Sequence, residues 1–232
     1  MTDDTEISVA SAVASLAQLA LGLSELPSPD EALRVALDAA VDVVPGCEQA
    51  GVSMKRGSRI DTPASFGSLA SACDKLQEEL GDGPCVTALL ENDVIRIDDV
   101  ETDDRWPEFA RTAAELGLRS LLACRIPTPG DRLGALNMYS TRPHAFGTDS
   151  EVLAVAYTTH IGIALSSIDK EHNLRRALES REAIGQAMGI LMERHRITAS
   201  QAFDLMVHVS QQNNVKLRAV ADELVRTGSL RS

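Results

Sequence analysis

Three groups of side chains in this sequence could carry chemistry: the cysteines, a tryptophan beside paired aspartates, and the polar residues near the C-terminus. Cys47, Cys73, Cys85 and Cys124 are separated by 26, 12 and 39 positions. That spacing provides no CxxC pair, no zinc-ligand pattern and no disulfide framework. Cys85 ends "GDGPC" (81–85), a Gly-Pro turn at a helix start where a thiol pKa can be lowered, so it is a candidate for a redox or ligand pocket. The competing reading for all four cysteines is a small buried thiol. Trp106 in "DDRWPEF" is the second candidate for that pocket, with Arg105 beside it. Asp103 and Asp104 precede a helix and read as caps rather than as an acid/base pair. His144 and His160 have no partner at ligand or triad spacing. No nucleophile, base and oxyanion site assemble, so the sequence predicts no catalytic residue, no metal site and no enzyme.

The elements that would hold these residues change in kind along the chain. "SVASAVASLAQLALGLS" is uncharged from Ser8 to Ser24 but follows the acidic "TDDTE", which is wrong for a signal peptide. It is also short and alanine-rich for a membrane span. It reads as an N-terminal helix over 1–24 with a seam at Val9, Val13, Leu16, Ala20 and Leu23. "LPSPDEAL" then breaks and restarts the helix, with Ser28 or Asp30 as N-cap. Strand-like runs follow at 50–54, 59–66, 94–98, 119–126 and 133–139, with helical patterns at 68–80 and 107–116. Irregularly inserted helices without a repeated βαβ spacing predict an α+β domain with a mostly antiparallel sheet.

From Asp149 the pattern is helical through His195. The seam of Ile161, Leu165 and Ile168 is interrupted at His172 and Asn173, then resumes at Leu174, Leu178, Gly185, Met188 and Met192. A coiled coil, a transmitting element and an imperfect linker all fit that shift. Thr198 and Gln201 form a Thr-x-x-Gln capping box for a helix facing inward with Ala202, Phe203, Met206 and Val209. A last helix carries Leu217, Val220, Ala221 and Leu224, with Gly228 as its glycine cap. Gly185 and Gly189 lie one turn apart in a helix where each costs about 1 kcal/mol relative to alanine. The expectation is a notch over which the last two helices fold, with Met188 and Met192 filling around it. Phe203, Leu217 and Val220 complete that packing.

Residues 181–225, "REAIGQAMGILMERHRITASQAFDLMVHVSQQNNVKLRAVADELV", resemble the ANTAR family of RNA-binding antitermination domains. The matching positions are Arg181, Ile184, Ala187, Gly189, Ile190, Leu191, Met192, Ala202, Phe203, Ser210, Gln211, Lys216, Leu217, Arg218, Val220 and Ala221. Upstream, "LQEELGDGPCVTAL", "DDRWPEFARTAAELGLRSLLACRI" and "LGALNMYSTRPHAFGTDSEVLAVAYTTHIGIAL" resemble the GAF sensory domains that precede ANTAR in actinobacterial regulators. The resemblance implies a GAF-like domain over 25–168 joined by a long helix to an all-α, three-helix ANTAR domain over 169–232. It further implies a homodimer that binds paired hairpin loops of nascent RNA and so prevents a terminator from forming, reaching RNA polymerase only indirectly; the cysteine spacing points to a reduced cytoplasm. A small molecule in the GAF domain is implied without being identified.

RNA loops are read through splayed bases by polar and guanidinium groups. The candidates are Arg181, Gln186, Arg194, Arg196, Ser210, Gln211, Lys216 and Arg218. Met188 stands where the family usually has lysine, and His208 where related sequences often have arginine. Each lost cation weakens phosphate attraction.

The net charge of −12 speaks against holding nucleic acid by bulk electrostatics. Its distribution is uneven: residues 1–165 hold 12 Lys+Arg against 26 Asp+Glu, and 166–232 hold 10 against 8. An acidic body thus carries a mildly basic tail, which suggests two roles. The alternative is a DNA-binding regulator using 198–212 and 215–227 as a helix-turn-helix. A thiol-dependent enzyme on the GAF fold would need a second cysteine near Cys85 and would leave 181–225 unexplained.

Overall fold

A computed structural model describes residues 22–23, 25–56, 59–91, 94–128 and 134–229. The N-terminal seam from Val9 to Ala20 lies outside the described residues; Leu23, its last member, is buried. The chain divides into two compact units between Asp169 and Lys170.

In the first unit, helix α1 (Pro29–Val43) begins where the punctuation places it, with Pro29 in its first turn and Ser28 Oγ accepting from Glu31 N at 3.2 Å. Five strands follow in the chain: β1 (Gln49–Arg56), β2 (Arg59–Phe66), β3 (Val94–Ile97), β4 (Ser120–Ile126) and β5 (Gly134–Ser140). They form one sheet in the order β2-β1-β5-β4-β3, with every neighbouring pair antiparallel. Between β2 and β3 come α2 (Ser68–Leu80) and α3 (Pro84–Glu91), and between β3 and β4 comes α4 (Pro107–Glu115).

Alternation along the central strands divides the core in two. Leu122, Cys124, Ile126, Leu136 and Met138 join Leu33, Leu37 and Ala40 of α1 in one cluster. Leu121, Ala123 and Tyr139 join Cys73 of α2, Cys85 and Ala88 of α3 and Phe109 of α4 on the opposite side. Because helices cover both faces, β5 is buried along its whole length. Pro63 sits on the edge strand β2, opposite the irregularity between Val52 and Met54, where its missing N–H costs no regular ladder bond.

Helix α5 (Thr148–His195) contributes to both units. Its first part is apolar and long enough to cross a membrane by composition, but Ala154, Tyr157, Ile161, Ala164, Leu165 and Ile168 are buried in the first cluster and the Tyr157 hydroxyl donates to Ala36 O. Gly162 is required there, since a Cβ on it would lie 2.1 Å from Pro127 O.

The second unit consists of the remainder of α5 with α6 (Ala199–Gln212) and α7 (Leu217–Thr227). The Thr198–Gln201 capping box forms in full: Gln201 N donates to Thr198 Oγ1 at 3.3 Å, and Thr198 N to Gln201 Oε1 at 2.9 Å. Gly228 caps α7 in the left-handed conformation at φ 72°.

Candidate functional site

The second unit is built around Ala187, Leu191, Ala202, Met206, Val220, Ala221 and Leu224. Ala187, Ala202 and Ala221 have no exposed surface, so small side chains from all three helices allow the close approach. The glycines do not. Gly185 and Gly189 are exposed, and a Cβ on either would meet nothing within 4 Å. The expected notch is therefore corrected: both glycines face away from α6 and α7. Met192 and Phe203, at 37% and 40% exposed, also stand outside the core. Phe203 follows Ala202 by one residue, a 100° step that turns it off the buried stripe. Val220 is buried in this core, and Leu217 and Met188 pack half-buried against the core, as expected.

The polar residues separate by what already engages them. Arg194 donates to Gly228 O, placing a cation at the carbonyl end of α7 where the helix dipole favours it. Arg218 reaches Glu179 at 3.1 Å and Asp222 at 3.5 Å. Ser210 Oγ donates to Val215 O at 2.6 Å and fastens the turn between α6 and α7. Gln186 Nε2 donates to Glu182 Oε1 at 3.2 Å, along the helix surface.

Arg181, Arg196, Gln211 and Lys216 are exposed, and their side chains make no hydrogen bond or ion pair among the described residues. Arg196 adopts φ 51° directly after α5. Lys216 is the N-cap residue of α7 and gives it no side-chain hydrogen bond, which leaves the first N–H groups of that helix open to an anion.

In the first unit the expected pocket residues are both buried. Cys85 N donates to Gln77 Oε1 at 2.8 Å, and its Sγ lies 3.5 Å from Ser53 Oγ. Burial pushes the Cys85 thiol pKa well up, with the neighbouring Asp74 adding to the effect. The expectation of a lowered thiol pKa is corrected: the helix start is present, but the thiol is buried away from water and beside Asp74. Cys47, Cys73 and Cys124 are likewise buried free thiols, pushed up to about 12 by burial.

Trp106 packs beneath Arg105, whose guanidinium carbon lies 4.7 Å from the ring centroid. Burial opposes ionisation of Asp103, yet the hydrogen bonds from Arg105 hold its carboxyl below the usual range. Asp103 is therefore committed to the turn before α4.

The sequence reading missed a buried polar cluster beside Cys85. Asp74 of α2 is 1% exposed, and its Oδ1 accepts from the Tyr139 hydroxyl and from Asn137 Nδ2 at 2.8 Å. Asn137 Nδ2 also donates to Ser53 Oγ at 2.9 Å, and Gln77 Nε2 to Tyr139 OH at 3.4 Å. The available signal was Asn137 and Tyr139 at alternate positions of an otherwise apolar strand, which puts both on one face.

A five-stranded antiparallel sheet with helices on both faces, followed by a three-helix unit with exposed cationic side chains, defines a two-module protein. The family comparisons make this specific. A GAF domain model matches residues 27–166 and an ANTAR domain model matches residues 172–225. The chain belongs to the GAF domain family and carries a C-terminal ANTAR domain.

Comparison with curated proteins finds no match. Among solved structures, the fold resembles the GAF domain of a phosphoenolpyruvate-protein phosphotransferase from Coxiella burnetii, with a TM-score of 0.54 at 16% identity over 70% of this chain and 96% of that one. It also resembles free methionine-R-sulfoxide reductase from Neisseria meningitidis in complex with its substrate, with a TM-score of 0.56 at 12% identity over 70% and 92%. A bacteriophytochrome from R. palustris gives a TM-score of 0.62 at 12% identity over 90% of this chain and 48% of that one.

Proposed function

We propose that this chain is an RNA-binding transcription antiterminator of the cytoplasm, in which the ANTAR unit binds paired hairpin loops of a nascent transcript and the GAF unit senses a signal. Arg181, Arg196, Gln211 and Lys216 carry this reading, because they are exposed polar groups not engaged by other side chains. Guanidinium and amide groups suit the edges and faces of splayed bases. Lys216 at the open start of α7 suits a phosphate. Arg194, Arg218, Ser210 and Gln186 shape this surface through their internal bonds, and Arg218 exchanges Glu179 and Asp222 for phosphate when RNA binds.

A homodimer accounts for the outward seam of α5. Leu174 and Leu178 are 63% and 59% exposed, and the stripe continues through Gly185, Gly189 and Met192. A repeat of this kind matches a second copy of itself, and two copies present two loop-binding surfaces. The chain acts as a regulator and carries out no catalysis; GAF and ANTAR domains are regulatory modules.

The test is binding of fluorescent RNA carrying two hairpin loops, in competition with single-loop RNA and with duplex DNA of equal length. Preference for the two-loop RNA, lost in Lys216→Ala and Arg196→Ala, supports the reading. Preference for the duplex overturns it in favour of a helix-turn-helix made by α6 and α7.

A further inference from the structure

We propose that the first unit responds to the hydrogen ion: α2 is docked on the sheet through an uncharged Asp74 carboxylic acid, and ionisation of that group releases the helix. This rests on the sensory reading of the GAF unit only for its biological use. Its test involves no RNA, so it can fail while the antiterminator reading stands.

The surroundings of Asp74 disfavour a buried charge: with Oδ2 unpartnered, an acid leaves one neutral hydroxyl unserved, whereas a carboxylate leaves charge unserved, which costs far more. One oxygen, Oδ1, receives both available donors, from Tyr139 and Asn137. The other, Oδ2, has no hydrogen-bond partner among the described residues, and neither does Asn137 Oδ1. Oδ2 presses against the backbone of β1 so closely that a Cβ on Gly51 would lie 1.7 Å from it. No donor fits between them. An ionised carboxylate would leave half its charge on an oxygen that nothing serves, which is the costly condition for a buried group.

Among the described residues no cation forms a hydrogen bond or ion pair with Asp74. The ionisable groups facing Asp74 are Cys73 on its own helix, Cys85 on α3 and Tyr139 on β5, all stabilised in their neutral forms by burial. From β1 come Gly51 and Ser53, and from β5 also Asn137. The apolar neighbours of this cluster include Ile60 of β2 and Phe109, Ala110 and Ala113 of α4. Burial raises the Asp74 carboxyl from 3.8 to about 7, against the opposing effect of the Tyr139 and Asn137 hydrogen bonds.

Asp74 is the acidic residue on α2 that fixes this helix to β5, and Gln77 and Cys73 share its buried face. The folded state holds the proton more tightly than the unfolded chain does. Its contribution is therefore complete below about 4 and is lost as pH rises through about 7. A single group with this shift changes the opening equilibrium about 100-fold between roughly pH 5 and pH 8.

The experiment is amide exchange of the full chain, read over Ser68–Leu80 as protection corrected for intrinsic exchange, at about pH 5 and pH 8. The expected result is a fall in protection of about 100-fold in the native chain and a nearly flat profile in Asp74→Asn. Equal pH dependence in the two proteins would overturn the proposal. Should Asp74→Asn fail to fold, infrared spectra of the native chain decide. A protonated carboxylic acid band that disappears through neutral pH supports the proposal, and titration of every carboxyl in the ordinary acidic range refutes it.

Discussion

Replacing Gly189 by alanine tests where the close approach in the ANTAR unit lies. A Cβ at position 189 meets no atom within 4 Å, so the substitution has no steric cost inside the chain. What remains is the helix preference of alanine over glycine, about 1 kcal/mol, part of it acting through the less disordered unfolded chain. For a unit of this size that raises Tm by about 4–8 °C. The measurement is urea or thermal unfolding at protein concentrations low enough to keep the chain monomeric. Amide exchange at Ala187, Ala202 and Ala221 then assigns the change to this unit, with protection rising about fivefold. Gly189→Leu is the companion: it leaves the unit folded and, on the homodimer proposal, weakens self-association by placing bulk in the seam. Destabilisation by Gly189→Ala in the monomer would refute the reasoning, because it would mean that another backbone lies on that face.

Four further outcomes follow from the same geometry. Ala221→Leu, at a position with no exposed surface between the three helices, should destabilise the second unit by about 1–3 kcal/mol and abolish RNA binding, as calorimetry and gel shift would show. Gly162→Ala, whose Cβ would fall 2.1 Å from Pro127 O, should destabilise the first unit by about 2 kcal/mol in denaturant titration. If Arg181 and Lys216 each neutralise one RNA phosphate, substituting either by alanine should reduce the slope of log K against log salt by about 0.7. Burial disfavours ionised Glu48, but Thr141 and Arg142 hydrogen bonds hold its carboxyl at about 2, below the usual 4.5. Its contribution is present above about 4.5 and lost as pH falls toward 2, so Glu48→Gln should flatten the acid limb of a stability profile.

The strands were legible because short strand-like runs such as "LGALNMY" are bounded by turn residues, and the long helix because no proline follows Pro143. Helix α3 was recognised only by its start, since eight residues after "GDG" are too few to establish a period. The glycines were assigned to the right helix and the wrong side. Periodicity groups Gly185 with Leu178 and Met192, but it cannot say which face meets the last two helices, and Ala187, which does meet them, does not stand out beside larger apolar residues.

Phe203 was drawn inward by its neighbour Ala202 and by hydrophobicity, which ranks aromatic residues as core without knowing where the helix turns. Asp74 was invisible for another reason. A carboxylate in a helical pattern ordinarily faces water, and its partners Asn137 and Tyr139 are 63 and 65 residues away. The RNA candidates were identified by family resemblance, and their internal bonds depend on the fold: nothing in sequence spacing pairs Arg218 with Glu179 or Arg194 with Gly228.

Single-round transcription through a terminator preceded by two hairpin loops, with purified polymerase and this chain added, tests the antiterminator assignment most directly. The account predicts read-through that rises with protein concentration, requires both loops and is lost in Lys216→Ala. Unchanged termination at concentrations where the protein saturates the two-loop RNA would contradict it.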